Sequence, residues 1–171
     1  MIFSGFLALQ VVAAKMSVNS EKKVEKHTPK TAQIYQRFFR DTKLTDLDGK
    51  RFDLSVLSAR IVIINFWASW CQPCMQELPG LIELKKRNAD NSKVAVFAIN
   101  VDESDQKQRI ARIQKKFSFN FPIIPDYSGS LANALDVDSV PVTIVYKDGK
   151  MLAVFDGPVD FTSEEFKETI R

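Results

Sequence analysis

The chain has 171 residues, 45% of them hydrophobic and 26% charged, with a net charge of +3. That length suits one globular domain with an additional terminal segment, and the hydrophobic content excludes disorder over most of it. The weak, interspersed charge gives no reason for nucleic acid or an acidic membrane to be the main partner. Two cysteines and a single histidine, His27, are too few for a disulfide framework or a zinc site.

Residues 1–14, MIFSGFLALQVVAA, are apolar and carry no charge. They are shorter than a membrane span needs, and the small residues Val12-Ala13-Ala14 suit signal cleavage although a positive n-region is missing. The segment reads as a signal peptide or the remnant of an anchor, with an apolar tail as the alternative. The first two readings place the rest of the chain outside the cytoplasm. Residues 15–41 form a polar tether and lead-in, within which Ala32 to Arg40 is either a short helix or irregular.

A folded domain is expected over 42–171. Asp48-Gly49 lies between two short strand-like runs and predicts a β-hairpin, because both turn positions favour positive φ. Ile61 to Trp67 and Val94 to Val101 are continuous β-branched and aromatic runs, as expected of parallel strands covered on both faces. Between them Met75, Leu78, Leu81 and Ile82 make the apolar stripe of a helix that starts after Cys71, with a kink expected at Pro79. The unit is therefore βαβ.

Ser104 to Phe117 predicts another helix. There Ile110, Ile113 and Phe117 form the inner stripe, and Lys107, Arg109, Arg112, Lys115 and Lys116 the solvated face. A short strand over Phe121 to Ile124 and a helix over Ser128 to Leu135 follow. Two strands around Asp148-Gly149 make a second hairpin, and a helix over Thr162 to Ile170 is capped by Ser163. The fold class is α/β: a central mixed sheet with helices on both faces and an N-terminal hairpin extension.

Cys71 stands where a buried strand hands over to a helix. Its sulfur faces the unpaired N–H groups and positive dipole end of the first turn. Lowering a cysteine pKa from about 8.5 to about 7 raises the thiolate fraction at neutral pH from a few per cent to roughly half, which makes Cys71 the attacking residue. Cys74, one turn on, suits the resolving role. Pro73 falls in the first turn, where its missing N–H costs little. A buried inert pair or half of a metal site is the competing reading, less specific than this arrangement of strand, tight loop and helix.

The segment Phe66-Trp67-Ala68-Ser69-Trp70-Cys71-Gln72-Pro73-Cys74 resembles the active-site region of the thioredoxin superfamily. Its continuation Met75-Gln76-Glu77-Leu78-Pro79 resembles the TlpA/ResA-like branch, bacterial and usually tethered outside the cytoplasmic membrane. The hairpin Asp46 to Leu54 and the run Val140-Pro141-Val142-Thr143 match that branch too, so the resemblance runs from Thr42 to Arg171. It implies a thioredoxin fold and a thiol–disulfide oxidoreductase, periplasmic or tethered to the outer face of the cytoplasmic membrane, that reduces disulfides of extracytoplasmic proteins, with apocytochrome c as a client class through cytochrome c maturation. It implies that Pro141 is the cis-proline beside the active-site disulfide, leaving the backbone of Val140 free to pair with substrate. Glu77 matches an acidic residue that could take the proton from Cys74, if burial raises its pKa; an ordinary solvated helix glutamate is the alternative. Asn65 stands where thioredoxins have a buried aspartate and cannot titrate, which transfers weight to Glu77. Gln72 replaces the usual glycine. Trp67 is expected in the core, and Trp70 at the rim of the reactive sulfur, in reach of substrate.

The expected partners are a disulfide-containing protein and an upstream thiol reductant, with the protein itself a monomer. The only expected cofactor is the redox-active Cys71–Cys74 disulfide. A thiol peroxidase, a redox sensor and a metal chaperone on the same fold are the competing functions. The peroxidase needs its cysteine in a different setting, and metal carriage lacks a histidine after His27.

Overall fold

The computed structural model describes residues 29–89 and 93–171, so the apolar segment 1–14 and tether residues 15–28 lie outside the described residues. Element order is α1 (Pro29–Asp41), β1 (Lys43–Thr45), β2 (Arg51–Asp53), a 3-10 turn (Leu54–Val56), β3 (Ile61–Trp67), α2 (Gln72–Arg87) and β4 (Val94–Asn100). There follow α3 (Gln106–Lys116), β5 (Ile123–Pro125), α4 (Ser130–Ala134), β6 (Val142–Lys147), β7 (Lys150–Asp156) and α5 (Glu164–Ile170).

The two continuous apolar runs become β3 and β4, which pair in parallel in a five-stranded sheet of order β5-β4-β3-β6-β7. β5 joins β4 in parallel, whereas β6 pairs antiparallel with β3 and β7 antiparallel with β6. All seven residues of β3 are buried, because alternate side chains enter different layers. Ile61, Ile63 and Trp67 pack with Leu78, Leu81 and Leu84 of α2, Ile110 of α3 and Phe166 of α5. Val62, Ile64 and Phe66 pack with Tyr35, Phe38 and Phe39 of α1 and Ala132 of α4. Helices thus cover both faces, as the thioredoxin fold requires. Asn65, an odd-numbered residue of the same strand, shares the α2 face with Ile63 and Trp67.

Two local features differ from the sequence reading. The lead-in is a helix from Pro29 to Asp41 with Tyr35, Phe38 and Phe39 at most 7% exposed, so the packed fold begins before residue 42. The spacing of those three rings is that of a helical stripe, and the Tyr146 hydroxyl seals the contact by donating to Tyr35 O at 3.0 Å. The second difference concerns Asp48-Gly49. Only Gly49 has positive φ, +80°, and Thr45 pairs with Arg51 across a loop of residues 46–50. Asp46 Oδ1 accepts from the N–H groups of Asp48 and Lys50 at 3.0 and 2.9 Å, organising a wider turn than the expected two-residue one. The hairpin is small and forms its own two-stranded sheet. At Asp148-Gly149 both φ values are positive, 51° and 74°, and Lys147 pairs with Lys150, so the tight turn forms as expected.

Candidate active site

The carboxyl end of β3 runs into a turn, Ala68 to Cys71, closed by Cys71 N donating to Ala68 O at 3.2 Å. Cys71 is the N-cap of α2. Its sulfur accepts from Cys74 N at 3.2 Å, the position a capping oxygen would take. Cys71 and Cys74 are joined as a disulfide of S–S length 2.07 Å, with Cys71 3% exposed and Cys74 fully buried. A helix N-terminus that stabilises a capping atom also stabilises a thiolate there once the bond is reduced.

The loop before β6 closes the site from the opposite side. The Val140–Pro141 peptide is cis, and Val140 O lies 3.5 Å from Cys71 Sγ. Gln72 and Pro73 are exposed on the first turn of α2, and Trp70 is 64% exposed beside them. Trp67, by contrast, is fully buried against Phe119, ring centroids 5.9 Å apart. The residues expected at the site therefore all gather at one end of the sheet, with Trp67 beneath them.

Glu77 follows Cys74 by three residues and is only 5% exposed, so it is not a solvated helix residue. Its Oε1 accepts from Asn65 Nδ2 at 2.8 Å and its Oε2 from Val159 N at 2.9 Å. Burial outweighs these two donors and holds the carboxyl at about 7 instead of 4.5. Glu77 also lines an open groove of about 460 Å³ with Pro73, Gln76, Gly80, Val159 and Phe161, which links the buried carboxyl to solvent. Asn65 is fixed in turn: its Nδ2 donates to Thr143 Oγ1 at 3.0 Å, across the β3–β6 register that sets these two residues opposite each other.

Sequence reasoning missed Thr143 and Val159 as the supports of this pair. A lone Asn inside IVIINFW signals a buried polar group that must find partners, but not which ones. It also missed a second buried carboxylate, Asp102, at the end of β4. Asp102 is 1% exposed and accepts from Ser69 N, Ser69 Oγ and Asn100 Nδ2. Among the described residues, no group of three or more His, Cys, Asp or Glu side chains is placed to hold a metal ion.

The AhpC/TSA family profile matches residues 36–154. The ResA thiol-disulfide oxidoreductase of Bacillus subtilis is 35% identical over 115 residues, which span 67% of this chain and 63% of that relative. The ResA of Geobacillus thermodenitrificans is 32% identical over 142 residues, 82% of this chain and 79% of the relative. Among solved structures, StoA from Bacillus subtilis superposes with a TM-score of 0.63 at 25% identity, covering 75% of this chain and 94% of that one. A thiol-disulfide oxidoreductase from Bacteroides fragilis gives a TM-score of 0.63 at 22% identity over 75% and 96%, a likeness of fold. With its disulfide at a helix N-terminus beside a cis-proline, the chain belongs to the thioredoxin-like AhpC/TSA family, among the ResA-type thiol–disulfide oxidoreductases.

Proposed function

We propose that the protein reduces disulfides of extracytoplasmic client proteins, apocytochrome c being the client class that the family resemblance favours. The observation that carries this reading is the pairing of a capped, minimally exposed Cys71 with a buried glutamate that holds its proton to about pH 7. In the reduced enzyme, the Cys71 thiolate attacks one sulfur of the client disulfide and forms a mixed disulfide, releasing the first client thiolate. Cys74 then gives its proton to ionised Glu77 and attacks Cys71 Sγ. This re-forms the Cys71–Cys74 bond and releases the second client thiolate. Two electrons pass to the client, and an upstream dithiol restores the enzyme. Around neutral pH Glu77 is divided between its two protonation states, which suits a group that must accept and return a proton.

The remaining roles follow the same geometry. Val140 offers its backbone to an extended client beside the sulfurs, held there by Pro141, while Trp70, Gln72 and Pro73 form the surface the client meets. The apolar segment 1–14, as a signal or anchor, would place the domain in the periplasm or on the outer face of the cytoplasmic membrane, tethered through residues 15–28. Equilibrating the Cys71–Cys74 couple in dithiothreitol or glutathione buffers tests the direction of electron flow. A potential near about −270 mV is expected of a reductant; one near about −120 mV makes the protein a disulfide-forming oxidase and sinks the assignment.

A further inference from the structure

We propose that Asp102 is a positioning residue for the attacking cysteine, acting through Ser69 on the turn that carries Cys71. This rests on Cys71 being the attacking sulfur. In the turn Ala68 to Cys71, the one internal backbone bond uses the N–H of Cys71 and the carbonyl of Ala68. The N–H of Ser69 points away from that bond and onto the Asp102 carboxylate, 3.1 and 3.3 Å from its two oxygens. The Ser69 hydroxyl donates to the same carboxylate at 3.0 Å. A single side chain therefore holds both hydrogen-bond donors of the residue two places before the reactive sulfur.

The anchor is itself immobilised. Asn100 Nδ2 donates to Asp102 Oδ2 at 3.0 Å, and Asp102 N donates back to Asn100 Oδ1 at 3.2 Å. Gln106 Nε2 donates to Asp102 O and, at 3.1 Å, to Asp126 O, tying the end of β4 to α3 and to the loop after β5. Val101 N donates to Trp67 O at 2.9 Å, joining the ends of β3 and β4 just below the turn. A carboxylate with 1% exposure and three donors is expensive to place and rigid once placed. Here its rigidity is delivered to the turn that aims Cys71 Sγ at the N–H of Cys74 on one side and at Val140 O on the other. Chemistry at sulfur demands alignment of three sulfur atoms in line, so a loosened turn slows attack even when the thiolate is present.

The test is the rate at which the reduced protein attacks a small aromatic disulfide. It is measured at a pH where Cys71 is fully ionised in every variant, beside the melting temperature. Asp102→Ala is expected to lower this rate about tenfold, and Ser69→Ala, which keeps the backbone bond, about threefold. Asp102→Asn keeps an oxygen for Ser69 and should recover part of the loss. If Asp102→Ala does not fold, Ser69→Ala decides: slower attack with an unchanged melting temperature supports the proposal. Wild-type rates in the folded variants, or losses that follow only the folded fraction, overturn it. Cys71→Ala serves as the separate control: residual attack by that variant overturns the assignment of the nucleophile, whereas loss of attack together with wild-type rates in the Asp102 and Ser69 variants overturns the positioning role alone.

Discussion

Two buried carboxylates lie near the active-site cysteines, Asp102 bonded to the turn at Ser69 and Glu77 on α2 three residues after Cys74, and they are handled in opposite ways. Asp102 collects three donors from residues of the turn and of β4. Glu77 receives one donor on each oxygen, from Asn65 and Val159, and burial holds it near neutrality on the edge of an open groove. Both sit against the same sheet end, so burial alone does not decide a carboxylate's job. The number of donors and the access to solvent do. On the roles proposed above, the one would serve geometry at Cys71 and the other a proton at Cys74.

The largest consequence of this division is thermodynamic. Folded Glu77 keeps its proton up to about pH 7, whereas the unfolded chain releases it near 4.5. Its contribution to stability is therefore complete below pH 4.5 and is lost as pH rises through 7, by about 3 kcal/mol in all. Denaturant unfolding of the oxidised protein at pH 5 and pH 8 should show this loss in the wild type and a nearly flat response in Glu77→Gln. Equal slopes in the two proteins would show that Glu77 titrates as an ordinary surface residue.

The next effect is kinetic and separates the two carboxylates by step. Glu77→Gln should slow release of the second client thiol about a hundredfold at neutral pH, the lower range of general-base effects, while leaving the initial attack unchanged. Rapid-quench analysis of the mixed disulfide reads the two steps independently. A Glu77→Gln protein that is slow in attack and normal in resolution would reverse the division. The smallest effect concerns Trp70, which precedes Cys71 in the turn and is 64% exposed. Trp70→Ala should change stability by no more than about 0.5 kcal/mol. It should raise KM for a protein client severalfold and leave attack on a small disulfide as it was. A loss of stability beyond about 1 kcal/mol would mean that the ring helps hold the turn.

How far these features were legible in the sequence depended on the range of the interaction. Strands β3 and β4 were written in continuous apolar runs, and the Cys71–Cys74 pair in its local motif. The same dipeptide, Asp-Gly, made a tight turn at 148–149 but only part of a wider loop at 46–50, because Asp46 offered its carboxylate to two backbone N–H groups there. Glu77 was visible as a helix residue near Cys74, whereas the donor to its Oε2, Val159 N, is 82 positions away. Asp102 was hidden for the same reason: its bond to Ser69 spans 33 positions and exists only once β3 and β4 have paired. Register, which no local pattern states, brought Thr143 opposite Asn65.

Helix α1 bears on where this chain tolerates being cut. Its rings lie on Tyr146, with Phe39 4.6 Å from that ring, and burial pushes the Tyr146 phenol well above its ordinary pKa. Gln36 clasps the β6–β7 hairpin, donating to Gly149 O and accepting from Met151 N. A fragment opened at residue 42 would bare that aromatic face and strip the Tyr146 hydroxyl of its carbonyl partner, inviting aggregation of an otherwise complete catalytic unit. The boundary for a soluble fragment belongs ahead of Pro29.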